Sequence, residues 1–593
     1  MDLREIVALT GICLLALESA GGAELRIRSA GNLRDRGGRL SWARAKNVIA
    51  YDKLSADGFY DIWVMNPDGS GDQCLTCDKS GVPNLHLGNP DWHPTGNFIV
   101  FQGQTRPVLN DQNARPGVGN NNDIWIMDAQ GQRFWQITQN ADAVLHPHFS
   151  HAGDKLMWAE RLTPLPPNWV IKLADVSIQN GVPVVQNIRQ IAPGPPASFY
   201  ETHCFSPDDK VIYFSANLEP RQPIPGIDQY AYELATGKLT NLTNTPTEWD
   251  EHGQISPAGD RIFWLSSMGT NSSPTINVRG LKGEYWIMNP DGSDKIRMTY
   301  YNDPLSRDYV PKGLVPGDVD WNADGTRIAA YLIPVDESAA LGLEGGIVIY
   351  DLEPGTSTLS AASFRRIPVA PDSVGSTFGS GFAKDLTTAA TLPPPTTLGG
   401  ASVTITDSTG TARLAPLFFV APGQVNFLVP ATTAAGPALI TMKNAEGVEF
   451  RGNAYIESLA PALFTQNSNG QGVAAAIAVR VSQDGSQTTT FVADCAAGSG
   501  RCITNPIDLG APGEQNFLLL FGTGIRARAS IAGVRFLIGN QETEILYAGP
   551  QGVYPGLDQV NVRLPRSLAG AGIIETNLLV DGKAANTVQL QIR

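Results

Sequence analysis

The stretch Pro90–Phe101, PDWHPTGNFIVF, followed after a variable loop by Asp123–Gln132, DIWIMDAQGQ, decides the fold of this chain. In the first segment an aromatic leads through a polar turn with Gly96 into the apolar run IVF; in the second, IWIM leads into a turn with Gly131. Apolar residues alternating with a period of two are a strand signal, and Asp, Asn and Gly supply the turns that let strands double back. Each segment therefore reads as part of a β-hairpin.

The pair recurs along the first 370 residues. The first half returns as PHFSHAGDKLMW (Pro147–Trp158), HCFSPDDKVIYF (His203–Phe214), GQISPAGDRIFW (Gly253–Trp264) and VDWNADGTRIAA (Val319–Ala330), with a degenerate copy from Leu40. The second half returns as DIWVMNPDGS (Asp61–Ser70), QYAYELATGK (Gln229–Lys238) and EYWIMNPDGS (Glu284–Ser293), with weaker copies at Trp169 and Ile347–Leu352; the unit closes on a Leu-Thr-like pair. Taking Trp42, Trp92, Phe149, Phe205, Ile255 and Trp321 as equivalent anchors gives six units spaced by about 56 residues. Two hairpins per unit make a four-stranded blade, and six blades closing in a ring make a β-propeller over residues 24–370. The Trp and Met of the IWVM-type runs belong to the blade cores. Trp135, Trp169 and Trp249 fall outside that pattern and are expected on an aromatic surface.

These units resemble the TolB-type propeller repeat, a distant cousin of WD repeats, over roughly residues 38–368. TolB carries an α/β domain ahead of its propeller, whereas about 38 residues precede the first unit here, so the resemblance implies the ring and not the envelope role.

Residues 371–593 repeat a different pattern. Phe378-Gly-Ser-Gly381 returns as Phe521-Gly-Thr-Gly524, LFFVAP (Leu417–Pro422) as ILYAGP (Ile545–Pro550), and QVNFLVP (Gln424–Pro430) as QVNVRLP (Gln559–Pro565). Short β-branched runs punctuated by Gly and Pro predict two Ig-like β-sandwich modules, 371–455 and 456–593. The tandem resembles an uncharacterised C-terminal domain recurrent on secreted acidobacterial proteins, a family with no assigned activity. The whole chain is thus expected to be all-β.

Of the 593 residues, 61 are Gly and 42 Pro, enough for many turns without low complexity. The net charge of −14, with no Lys/Arg run, argues against a nucleic-acid partner. From residue 371 onward there are 13 basic and 15 acidic residues, so nearly all the negative charge lies earlier, as do all 11 Trp and all 7 His. Ile6–Leu17 is apolar but too short to span a bilayer and is followed by small residues, which predicts a signal peptide over 1–23, a secreted or periplasmic protein, and no integral membrane segment after cleavage. In an oxidising compartment the close pairs Cys74/Cys77 and Cys495/Cys502 are expected as disulfides, with Cys204 a buried thiol.

Several chemistries are disfavoured. There is no G-x-S-x-G elbow and no His after His252, so residues beyond it supply no base for a Ser-His-Asp triad. NPDGSGD and NPDGSD meet Cys77 and Tyr300 where a calcium loop wants Glu, and read as turns. What remains is a rotational set. Three residues before each anchor stand Arg39, Asn89, His146, Thr202, His252 and Asp318, with His203, Glu201, Glu251 and Asp320 adjacent. Rotation brings one blade position around one ring, so imidazoles and carboxylates gather at one mouth of the channel, a donor set suited to a divalent metal such as manganese, zinc or calcium. His86, His93, His148 and His151 are expected in turns or on strand faces.

ETHCFSPDDK (Glu201–Lys210), LHPHFS (Leu145–Ser150) and EHGQISPAGD (Glu251–Asp260) are similar to the His-bearing blade starts of oligogalacturonate lyases, seven-bladed enzymes that hold manganese through such histidines. That resemblance implies His146, His203 and His252 as ligands, with Glu201, Glu251 and Asp318 around them. The leading expectation is a secreted binding protein that recognises a protein or carbohydrate ligand, its Ig-like modules serving as spacer or surface attachment. The alternative is a metal-dependent polysaccharide lyase or hydrolase at the channel mouth.

Overall fold

The computed structural model describes residues 24–195, 198–270, 280–335, 345–366, 368–495 and 502–593; the expected signal peptide lies outside them. The chain divides into two compact units, Ile27–Glu353 and Pro354–Arg593, the latter taking in Glu24–Arg26.

The first unit is a ring of six four-stranded antiparallel sheets. Their inner strands, blades 1 to 6 in chain order, are Leu40–Ala43, Leu87–Trp92, Ala143–Phe149, Tyr200–Phe205, Asp250–Ile255 and Leu314–Trp321. Each touches the inner strands on both sides, and Leu40–Ala43 meets Leu314–Trp321, which closes the ring. Blades 1 to 5 each use four consecutive strands. Blade 6 takes its outer strand from the other end of the unit: Glu24–Gly37 pairs with Gly345–Gly355. This closing strand carries none of the repeat motif, so the sequence pattern did not reveal it. The unit also ends at Glu353 rather than at the expected residue 370, because Ser357–Ser360 pairs with Val374–Phe378 in the following unit.

Two sets of hydrogen bonds explain why the repeat reads as it does. The first joins the acid that opens the third strand to the Thr of the Leu-Thr-like pair. Thr76 Oγ1 donates to Asp61 (2.7 Å), Thr138 to Asp123 (2.9 Å), Thr243 to Asp228 (2.8 Å) and Thr299 to Glu284 (2.7 Å). Each hydroxyl in turn accepts the backbone N–H of the residue after the acid: Ile62, Ile124, Gln229 and Tyr285. A buried carboxylate and a buried amide are satisfied by one hydroxyl. Thr299→Val, which strips both bonds at nearly constant volume, is expected to lower unfolding stability by ~1–3 kcal/mol in chemical denaturation.

The second set runs around the ring. The residue before an aromatic anchor accepts the anchor N–H of the next blade: Ser41 Oγ from Trp92 (3.3 Å), Asp91 Oδ2 from Phe149 (2.8 Å), Cys204 Sγ from Ile255 (3.4 Å) and Asp320 Oδ2 from Trp42 (2.6 Å). Asp91, Asp320 and the free thiol Cys204 are thereby engaged in holding blade to blade. Between blades the cores are apolar, with Trp158, Trp264 and Trp321 at most 1% exposed. Trp169, expected on the surface, is only 6% exposed: its strand Pro167–Gln179 turns it inward against Phe199, under the Arg161 guanidinium. Trp135 and Trp249 are half-buried.

The second unit contains two modules, each of two sheets around one apolar core. In the first, a sheet of Ser357–Ser360, Val374–Phe378, Gln424–Leu428, Leu417–Val420 and Thr387–Thr388 faces one built on Ala401–Thr406, Gly436–Lys443 and Glu449–Ile456 across Phe382, Val403, Phe427 and Ile440. In the second, the sheet around Gln515–Thr523 and Asp558–Arg563 faces the one around Val534–Ile538 and Gly572–Val580 across Leu518, Phe536 and Val560. The sequence repeat is a structural one. In both modules the QVN strand lies between the FGxG strand and the strand carrying LFFV or ILYA. The Gln amide donates to the Asn two residues on, Gln424 to Asn426 (3.0 Å) and Gln559 to Asn561 (2.7 Å), since i and i+2 share a strand face.

Cys74–Cys77 and Cys495–Cys502 are both disulfide-bonded. Among the described residues no helix is long and apolar enough to cross a membrane.

Candidate metal centre

The inner strands do not run smoothly to the axis. In blades 2 to 6 their pairing with the next strand breaks register, at Gly88/Asp91, Leu145/His148, Thr202/Cys204, Glu251/Gln254 and Pro316/Val319. Such bulges re-aim side chains. Within three of them Asn89, His146 and His252 adopt left-handed backbone, at φ 51°, 45° and 56°. This conformation costs a non-glycine residue ~1–3 kcal/mol and is held by its surroundings. Glycines give the bulges room: a Cβ on Gly253 would stand 2.4 Å from Gln229 Oε1, and one on Gly317 2.6 Å from the Tyr331 ring.

The bulges bring together the residues the sequence placed at one blade position. His146 Nε2 lies 3.2 Å from Glu201 Oε1 and its Nδ1 3.4 Å from Asp318 Oδ1. His252 Nδ1 lies 3.6 Å from the same Glu201 oxygen and 3.5 Å from the same Asp318 oxygen. His203 joins through its ring, centred 5.9 Å from that of His252. In two overlapping sets, His146/His252/Asp318 and Glu201/His203/His252, the donor atoms lie within 4.8 Å of one another. Glu201 and Asp318, expected to stand behind the histidines, each place an oxygen in one of these sets. Only Glu251 stands behind, its Oε2 3.2 Å from His252 Nε2 and held by the Trp249 indole N–H at 2.7 Å.

The electrostatics fit a cation. Burial, reinforced by neighbouring His252, holds the His146 and His203 imidazoles well below their usual range, so both are neutral with a lone pair to give. Burial also opposes charge on His252 and Glu251, yet Asp318 and Glu251 raise the imidazole, and His252 brings the Glu251 carboxyl down to about 2. Burial, then the like charge of Glu251, pushes the Glu201 carboxyl well above its usual range. Most telling are the orphans: Glu201 Oε1 and His252 Nδ1 are buried without a hydrogen-bond partner. Buried polar atoms rarely go unpaired. Within each set the donor atoms lie close enough together to share one ion. The residues present therefore fit a divalent metal held by one of the two sets, His146, His252 and Asp318 or Glu201, His203 and His252.

The remaining histidines are structural or peripheral. His86 accepts the Tyr60 N–H and contacts Asp111, His93 bridges Thr95 and the Gly153 carbonyl, and His151 meets Asp209. His148 sits beside the ring, centred 6.4 Å from His146. Arg39, at the same blade position, faces Asp52 at 3.6 Å, and burial pushes the Asp52 carboxyl up to about 6.

No protein-family model matches the chain. A stretch of 231 residues is 30% identical to dipeptidyl-peptidase 5 of Porphyromonas endodontalis, covering 35% of this chain and 32% of that protein, about a third of its length. Among solved structures, a putative TolB of Agrobacterium tumefaciens aligns over 47% of this chain and 90% of its own at 14% identity (TM-score 0.33). TolB of Acinetobacter baumannii aligns over 52% and 64% at 16% identity (TM-score 0.31). At these scores the likenesses carry no argument about activity; the ring of six blades rests on its own strand order.

Proposed function

We propose that this chain is an exported propeller protein that holds a divalent metal on its axis and there recognises a polymer ligand, a carbohydrate or a protein, with its two C-terminal modules, Ig-like in our reading, as spacer or attachment. The observation that carries it is the pair of buried, unpartnered donors, Glu201 Oε1 and His252 Nδ1, facing each other across a gap of ion size. A mixed imidazole and carboxylate set suits manganese, iron or zinc. Bound there, such an ion supplies Lewis acidity toward a ligand oxygen. The chain's own residues orient that ion and keep water from most of its surroundings.

The protein as purified, dialysed against metal-free buffer, is expected to retain or regain one divalent ion per chain by elemental analysis. Manganese at about 100 times its dissociation constant is expected to raise the stability of the propeller by ~2.7 kcal/mol, read as a higher melting temperature. Both signals should vanish in the His146→Ala/His252→Ala double variant. A wild-type protein with no stoichiometric metal and no manganese-dependent shift would end this reading.

Cleavage of an acidic oligosaccharide such as oligogalacturonide, lost in the double variant, would establish the lyase or hydrolase reading.

A further inference from the structure

The histidines of the axial centre are held from behind by groups whose own bonds leave little freedom. His203 Nε2 meets Ser215 Oγ at 2.6 Å. That hydroxyl gives its hydrogen to the Asp250 carbonyl (2.9 Å) and accepts from the Gln229 amide (2.9 Å). A serine hydroxyl has one hydrogen. With it committed to a carbonyl, which offers no hydrogen in return, the ring nitrogen must be the donor. His203 is therefore the Nε2–H tautomer, and Nδ1 carries the lone pair.

On the next blade the same outcome is reached differently. His252 Nε2 faces Glu251 Oε2 at 3.2 Å, and that oxygen also takes the Trp249 indole N–H at 2.7 Å. A carboxylate is an acceptor, so Nε2 holds a proton, and Nδ1, which has no hydrogen-bond partner, is the atom turned toward Glu201 and Asp318.

Resting on the metal reading of this centre, we propose that Ser215 with Gln229, and Glu251 with Trp249, are positioning groups that fix His203 and His252 as Nε2–H tautomers, so that both deliver Nδ1 to one ion. Ser215 lies on the second strand of blade 4 and its hydrogen on a carbonyl of blade 5, so this device also sets the spacing of the two blades that carry His203 and His252. Gln229 stays in place because the neighbour of His252 is a glycine: a Cβ on Gly253 would strike its amide. Groups that orient a ligating imidazole typically alter metal affinity 10- to 100-fold when removed.

The test uses the full chain and manganese itself. Ser215→Ala is expected to weaken manganese binding ~10- to 100-fold and to change the visible spectrum of the cobalt-substituted protein, while Ser215→Thr, which keeps the oxygen, restores both. Trp249→Phe alters a half-buried side chain rather than a core one, and should weaken binding in the same direction by freeing Glu251. That variant keeps the test alive if Ser215→Ala does not fold. Wild-type affinity and an unchanged cobalt spectrum in both Ser215→Ala and Trp249→Phe would overturn the proposal. If wild type binds neither manganese nor cobalt, the metal reading itself has failed, an outcome visible before any variant is made.

Discussion

A chain begun at Gly38, lacking the closing strand, is expected to lose the cooperative melting of its propeller. Glu24–Gly37 is the outer strand of blade 6, joining the end of the unit to its beginning. Ser29 Oγ donates to Asp351 (2.7 Å) on the last strand, while Arg34 reaches the Gly69 carbonyl and Asp72 of blade 1. The strand buries few side chains, so its contribution is mainly backbone ladder, at ~0.5–1.5 kcal/mol per hydrogen bond. Summed over such a strand this reaches several kcal/mol, comparable with the ~5–15 kcal/mol by which a domain is usually stable. Without it, Gly345–Gly355 becomes an uncovered edge open to pairing with other chains. The expected result is a broad, low-temperature transition and concentration-dependent aggregation, partly reversed by a synthetic 24–37 peptide. A truncated protein melting within ~2 °C of the full chain would show that the ring does not depend on this closure.

The second large effect separates two carboxylates that stand two residues apart on one strand. Asp320 accepts the N–H of Trp42 (2.6 Å) and of Trp321 (2.8 Å), and burial pushes its carboxyl up to about 6. Asp320→Ala strands two buried amides, each worth ~1–3 kcal/mol, so the protein should melt several degrees lower yet still respond to manganese. Asp318 points its Oδ1 at His146 and His252 and adds like charge beside Glu201. Asp318→Ala should abolish the manganese response while leaving the metal-free melting temperature equal or higher, as expected where a site is built at the expense of stability. Differential scanning fluorimetry of both variants with and without manganese decides the matter; identical behaviour would refute the division of labour.

The blades were legible because their chemistry is local. The turn residues, the alternation of IWVM and the Asp–Thr pairs recur within one unit, and each copy confirms the others. Rotational equivalence then places His146, His252 and Asp318 on one ring from their spacing alone. Three things were not legible. The closing strand takes its register from a partner more than 300 residues away and repeats nothing. The distinction between Asp318 as a donor and Asp320 as a blade tie depends on a bulge that no residue pattern announces. The nitrogen each histidine presents follows from Ser215, Gln229 and Glu251, whose roles emerge only when blades 4 and 5 lie side by side.

The left-handed backbone at residues 146 and 252 has an evolutionary corollary. Glycine would sit there without strain, and asparagine already stands at the equivalent residue 89. Histidine stands at these two positions against the grain of its own backbone, a cost that drift would relieve. In descendants that no longer use the axial centre, positions 146 and 252 should be the first to decay, toward glycine or asparagine, while Asp91 and Asp320 endure because the ring still needs them. The order in which those residues disappear among natural relatives would record when the centre fell out of use.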